Sequence, residues 1–175
     1  MIPVTLDTYI AAPREELFDF VADIAARPSW NDHFQSEFHL TRPTRISQVG
    51  SAARYRTDPP FQRQLYSDLA IVELDRPRRI MEEGVQGRFN RGRVQIVWDF
   101  YDEGPRQTKI GFEMRAEPGN RIQQLAASFG TRGYYKRQYA TALERLRIIF
   151  EERPEGELAR ATVAGYEPLK APRYG

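Results

Sequence analysis

The chain opens on a two-residue alternation. Val4, Leu6, Thr8 and Ile10 fall on one side of residues 3–11, with Thr5, Asp7 and Tyr9 on the other. That period predicts a strand with one buried face. The period then changes. Pro13 stands where a helix can begin without losing a backbone hydrogen bond. Glu15 and Glu16 fall in the first turn, where the helix dipole favours acids. Leu17, Phe18, Val21 and Ile24 follow at helical spacing. Pro28 ends or bends this helix, and Ser29-Trp30-Asn31-Asp32 reads as a short second turn or loop.

From about residue 34 to 116 alternation returns. Phe34, Ser36, Phe38 and Leu40 share one face, opposite Gln35, Glu37 and His39. A turn-rich stretch with Pro43 and Gly50 leads to a strand near 51–57, which Asp58-Pro59-Pro60 interrupts. A long strand near 63–75 stops at Asp75-Arg76-Pro77, and another covers about 78–86. Gly87 to Gly92 make a turn. Val94, Ile96, Trp98 and Phe100 then share a face, as do Ile110, Phe112, Met114 and Ala116 beyond the Asp102-Glu103-Gly104-Pro105 turn. Consecutive strands joined by short turns predict an antiparallel meander. Helical spacing resumes in a short segment, about 119–129, interrupted by Gly130 and Gly133. Tyr135, Tyr139, Ala142, Leu143, Leu146, Ile149 and Phe150 then predict an amphipathic helix over 134–152, stopped before Pro154. Residues 154–175 have no period and read as a C-terminal tail behind a domain of residues 1–153.

Composition narrows the picture. The 175 residues suit one domain, and 41% hydrophobic with 29% charged residues suits a globular chain. Leu69-Ala70-Ile71-Val72, among the longest apolar runs, is far short of the ~18 residues of a membrane span, so no stable membrane insertion is expected. Met1-Ile2-Pro3-Val4-Thr5 lacks the layout of a signal peptide, and the default compartment is the cytoplasm. Cysteine is absent, which excludes disulfides, thiolate metal sites and a cysteine nucleophile. His33 and His39 stand in a segment without helical period, so no metal site and no cofactor is expected. The pI near 9.0 arises because nearly all basic residues are arginine; only Lys109, Lys136 and Lys170 are lysine. The net charge is just +2, and no nucleic-acid partner is expected.

Local motifs add a resemblance. Ile10-Ala11-Ala12-Pro13-Arg14-Glu15-Glu16-Leu17-Phe18 resembles the passage from first strand to first helix in the SRPBCC superfamily of START and birch-pollen-allergen proteins. Asp23 followed by Pro28, Trp30 and Asn31 resembles its helix exit, and Leu74-Asp75-Arg76-Pro77-Arg78-Arg79-Ile80 a recurrent turn between two central strands. Within the superfamily the chain is similar to the polyketide cyclase/dehydrase-like branch. The resemblance covers about 1–153. It implies an α+β helix-grip fold: a curved antiparallel sheet of about seven strands around a long C-terminal helix, with two short helices after the first strand. It also implies a hydrophobic small-molecule ligand, such as a lipid, sterol or polyketide, held between sheet and helix.

The implied pocket walls are Trp98, Phe100, Phe112 and Met114, with plain core packing as the alternative for each. Trp30 is a candidate for the pocket mouth or a structural plug. Tyr55, Tyr66, Tyr134 and Tyr135 offer hydroxyls that could orient a ligand oxygen or cap the core rim. Phe129 completes the ligand-binding set. For chemistry, one of Glu82 and Glu83 should point inward. An inward Arg54 or Arg56 beside Glu82, with Tyr55 on the opposite face of its strand, would form a buried pair able to bind a polar head or move protons. Outer-face charges are the alternative. No nucleophile–base–orienter set can be assembled. The Gly87-Arg88-Phe89-Asn90-Arg91-Gly92-Arg93 turn is a solvated hairpin tip or a contact for phosphates or an acidic partner. Gly130 and Gly133 mark a kink that admits ligand, or simple helix termination.

Three functions fit: a non-catalytic carrier or sensor, an aromatase/cyclase-type enzyme, and a protein-interaction module without a cavity. An inward titratable residue separates the first two. The sequence leaves the oligomeric state open, a homodimer included.

Overall fold

Pro13 precedes a helix whose first turn carries Glu15 and Glu16 and whose Leu17, Phe18, Val21 and Ala22 are buried. This helix, α1 (Arg14–Ala22), follows strand β1 (Val4–Ile10). Asp23 then takes a non-helical conformation, and its carboxylate accepts the Ala25 backbone N–H at 3.1 Å. That cap starts a single tight turn, Ile24–Ala26, and Pro28 opens the short helix α2 (Pro28–Asn31). The computed structural model describes residues 3–42, 47–62, 64–119 and 130–166.

Six further strands follow: β2 (Ser36–Leu40), β3 (Ala52–Thr57), β4 (Leu65–Asp75), β5 (Arg79–Gln86), β6 (Gly92–Asp102) and β7 (Thr108–Glu117). All pairings are antiparallel, in the order β1-β7-β6-β5-β4-β3-β2. The expected meander is present, and β1 returns to pair with the last strand. The inward face follows the alternation: Val94, Ile96, Trp98 and Phe100 on β6, and Ile110, Phe112, Met114 and Ala116 on β7, are all buried.

One alternation breaks. Phe34 lies ahead of β2, not in it. Glu37 has a left-handed backbone (φ 53°), and the pairing register shifts between Ser36 and His39. A bulge therefore sets the inward phase that Phe38 and Leu40 follow.

The long helix is α3 (Arg132–Glu151). Its buried stripe is Tyr135, Tyr139, Ala142, Leu143, Leu146 and Ile149, which closes the sheet's apolar face. Its outer face carries the Arg147 ion pairs to Glu144 and Glu151. Beyond α3 the chain returns along the α1–α2 junction. Ala161 N–H donates to the Ala25 carbonyl at 2.8 Å, and Leu40 N–H to the Thr162 carbonyl at 2.9 Å. Ala159 and Ala161 are buried, and Arg160 pairs with Asp23 at 2.7 Å. Among the described residues no helix is long and apolar enough to cross a membrane. From residue 120, the short helix expected over 119–129, with Phe129, lies outside the described residues, as do 167–175 of the tail.

Candidate functional site

The sheet's inward face is mostly apolar, with the hydroxyls of Thr57 and Ser67 among its exceptions, and β5 places a carboxylate there, Glu82, which is fully buried. Its neighbour Glu83 takes the outer face, where Gln95 donates to it at 2.7 Å. A buried carboxylate needs a partner, and the partner comes from the α1–α2 junction. Arg27, also buried, donates Nη2 to Glu82 Oε1 at 2.7 Å and Nη1 to Oε2 at 3.3 Å. The two planar groups meet as a fork. Trp98 Nε1 on β6 donates to the same Oε1 at 3.0 Å.

Aromatic rings surround this pair. The Arg27 guanidinium carbon lies 5.1 Å from the Trp30 ring centre and 5.7 Å from that of Trp98. Trp30 and Trp98 meet edge to face at 5.6 Å, and Phe112 packs on Trp98 at 4.7 Å and on Tyr139 at 4.3 Å. Burial works against the Arg27 cation, but the Glu82 carboxylate outweighs it, so the guanidinium stays charged.

Tyrosines form the next part of the site. Burial raises the Tyr55 hydroxyl far above its ordinary value and the Glu82 charge adds to this; Arg27 and hydrogen bonds with Ser67 and Tyr139 oppose it. Burial likewise raises Tyr139, with Tyr55 and Glu82 contributing in the same direction. Tyr135 is raised by burial and shares a 3.2 Å hydrogen bond with the Thr57 hydroxyl. All three are neutral donors at physiological pH.

The segment carrying Arg27 contributes a second polar row. Asn31 N–H donates to the Arg27 carbonyl and Gln35 N–H to the Asn31 carbonyl, so 27, 31 and 35 recur at helical spacing. Asn31 Nδ2 donates to Gln35 Oε1 at 3.0 Å. Among the described residues, Arg27 Nε, Trp30 Nε1, Asn31 Oδ1 and Gln35 Nε2 are buried without a hydrogen-bond partner. Each such group costs roughly 1–3 kcal/mol. All four lie on one short segment, residues 27–35.

The structure sorts the sequence candidates. Trp30, Tyr55, Trp98, Phe100, Phe112, Met114 and Tyr135 are all buried in one core. Trp30 is fully buried beside Trp98, not at a mouth. Tyr66 instead serves the outer side, where its hydroxyl donates to Glu37 at 2.6 Å. Tyr134 is partly buried beside Asp58, Pro59, Pro60 and Phe61. The buried partner of Glu82 is Arg27, not Arg54 or Arg56. Arg54 pairs with Asp68 at 3.7 Å, and Arg56 with Glu37 and Asp58, on the solvent face. Sequence reasoning missed Arg27, Asn31 and Gln35. Their four-residue spacing was the available signal, obscured by Pro28. Among the described residues no cluster of His, Cys, Asp and Glu could hold a metal ion.

Comparison with known proteins bears on the fold. The model of the family described as Activator of Hsp90 ATPase homolog 1-like protein matches residues 11–144. No curated protein matches the chain. A protein from Thermus thermophilus has a similar structure: TM-score 0.69 and 15% identity, covering 87% of this chain and 99% of that one. A START superfamily protein from Mycobacterium smegmatis gives 0.61 and 17%, covering 86% and 98%. Major latex-like protein 151 from Panax ginseng gives 0.65 and 11%, covering 85% and 97%. These likenesses establish the helix-grip fold.

Proposed function

The chain belongs to the Activator of Hsp90 ATPase homolog 1-like family, and from that premise we propose that it binds a hydrophobic small molecule between its sheet and α3. One observation carries this reading: the buried Arg27–Glu82 pair sits in an aromatic enclosure beside polar atoms left without partners. A purely structural core would be expected to be apolar there or fully satisfied.

The same atoms suggest the ligand's polar end. Arg27 and Glu82 largely satisfy one another, so neither calls for a free ionic group. Asn31 and Gln35 leave one open acceptor and one open donor. Exchanging oxygen and nitrogen in both amides leaves one of each again. A neutral donor–acceptor group fits that pair: an amide, a hydroxyl or a protonated carboxyl.

A second reading is favoured by one feature. Glu82 is an inward titratable group among neutral tyrosine hydroxyls, which an aromatase/cyclase-type enzyme would need for proton transfer. The first experiment is native mass spectrometry of protein purified without added ligand, followed by extraction of whatever is bound. The expected result is a hydrophobic species near one-to-one, carrying a neutral polar group. Turnover of that species, lost in Glu82→Gln while the variant still folds and still binds it, would favour the enzyme. A clean apo mass, with no thermal shift across lipids, sterols and aromatic polyketides, would overturn both and point to a protein partner.

A further inference from the structure

Two hairpin tips meet at one end of the sheet. Thr57 pairs with Leu65, Ser67 with Gln86 and Gln86 with Gly92, so the β3–β4 and β5–β6 turns project from the same end. Gly87 N–H donates to the Tyr66 carbonyl at 2.9 Å, which makes the tips neighbours. Each tip turns a phenylalanine outward: Phe61 is 80% exposed and Phe89 74%. Both have left-handed backbones, φ 63° and 64°, a conformation unfavourable for a bulky side chain. Phe61 borders a shallow groove with Asp58, Pro59, Pro60 and Tyr134, which brings the start of α3 to this end.

Charge collects there too. Arg91 and Arg93 are exposed on the β5–β6 tip and the start of β6, and Arg132 and Lys136 on the first turns of α3. Arg132 Nε donates to the Pro3 carbonyl at 3.4 Å, beside the start of β1. The Arg91 guanidinium lies 5.7 Å from the Phe89 ring centre. Of the acids nearby, Glu37 and Asp58 are paired with Arg56, and Glu117 stands opposite Arg93. At the far end Arg76 pairs with Asp19, Arg78 with Asp75 and Arg79 with Asp99.

We propose that this end docks on an anionic lipid surface, with Phe61 and Phe89 entering the interface and Arg91, Arg93, Arg132 and Lys136 facing headgroup phosphates. An acidic protein would need a complementary hollow for each protruding ring, whereas a bilayer needs none. Nucleic acid would reward the cations but gives two separate hairpin tips no shared groove. The docking is peripheral and does not depend on an interior ligand.

The test is co-sedimentation of the full chain with vesicles of phosphatidylcholine, with and without phosphatidylserine. Binding is expected to the anionic vesicles and to weaken with salt. Arg91→Ala and Arg93→Ala should each weaken it about fivefold. Phe61→Ser and Phe89→Ser should do so at least as much, while Val72→Ser, an exposed apolar site elsewhere, should not. Melting curves check that each variant folds. Absent vesicle binding, binding unchanged in these variants, or capture by duplex DNA or polyglutamate but not by vesicles would overturn the proposal.

Discussion

The Arg27–Glu82 pair carries a large share of the interior's electrostatic risk. Removing one partner leaves a buried charge unpaired, at a cost of about 3–5 kcal/mol. Glu82→Gln should therefore lose stability on that scale in urea unfolding, with the Trp98 indole keeping an acceptor. Arg27→Met with Glu82→Met should cost less than the two single changes summed, a coupling the double-mutant cycle measures directly. His33 tests a different effect. Burial disfavours its cation, Arg145 adds to this, and its pKa lies below the ordinary value despite the 3.1 Å bond to the Gln138 carbonyl. The folded state thus holds fewer protons than the unfolded chain just below about pH 6.5. Stability from this residue is present above that value and is lost as pH falls through it. The melting temperature should fall between pH 7.5 and 5.5, and His33→Gln should flatten the change. At this scale the sequence was half legible. Strand parity required one of Glu82 and Glu83 to point inward, but it could not supply Arg27. That residue lies between the Asp23 cap and Pro28, where no period runs long enough to show which way a side chain points.

Periodicity did more for whole elements, because burial enforces it over many residues. The predicted α3 over 134–152 and the observed Arg132–Glu151 differ only at their ends. β2 was legible as a strand with Phe38 and Leu40 inward, but its start was not: a bulge at Glu37 resets the alternation ahead of them, and a single left-handed residue leaves no trace in a hydrophobic pattern. The returning segment 158–166 escaped for a related reason: it docks mostly through backbone bonds and two buried alanines. Glycine shows how elements differ in tolerance. A Cβ at Gly84 on β5 would lie 1.9 Å from the Asp68 carbonyl oxygen of β4. Gly84→Ala should cost about 1–3 kcal/mol by forcing the strands apart. Gly133, in the first turn of α3, has no atom within 4 Å of such a Cβ. Gly133→Ala should instead stabilise by roughly 0.5–1 kcal/mol. Chemical denaturation of both variants checks the opposite signs.

Across the whole molecule, α2, α3, the sheet and the returning segment share one core, and both tryptophans of the chain lie in it, in contact with Arg27. Tryptophan emission therefore reports the interior, while far-ultraviolet circular dichroism reports α3 and the sheet. If the core is one cooperative unit, both signals should follow a single denaturant transition with the same midpoint. Two midpoints would mean that the aromatic enclosure opens before the frame melts. A ligand bound in the interior sharpens the test, because it must shift both transitions together. At about a hundredfold excess over its dissociation constant the gain is roughly 2.7 kcal/mol. Vesicles docked on the Phe61 and Phe89 tips would stabilise the fold without the change in tryptophan emission that an interior ligand beside Trp30 and Trp98 should produce. The two kinds of binding can thus be told apart in one titration.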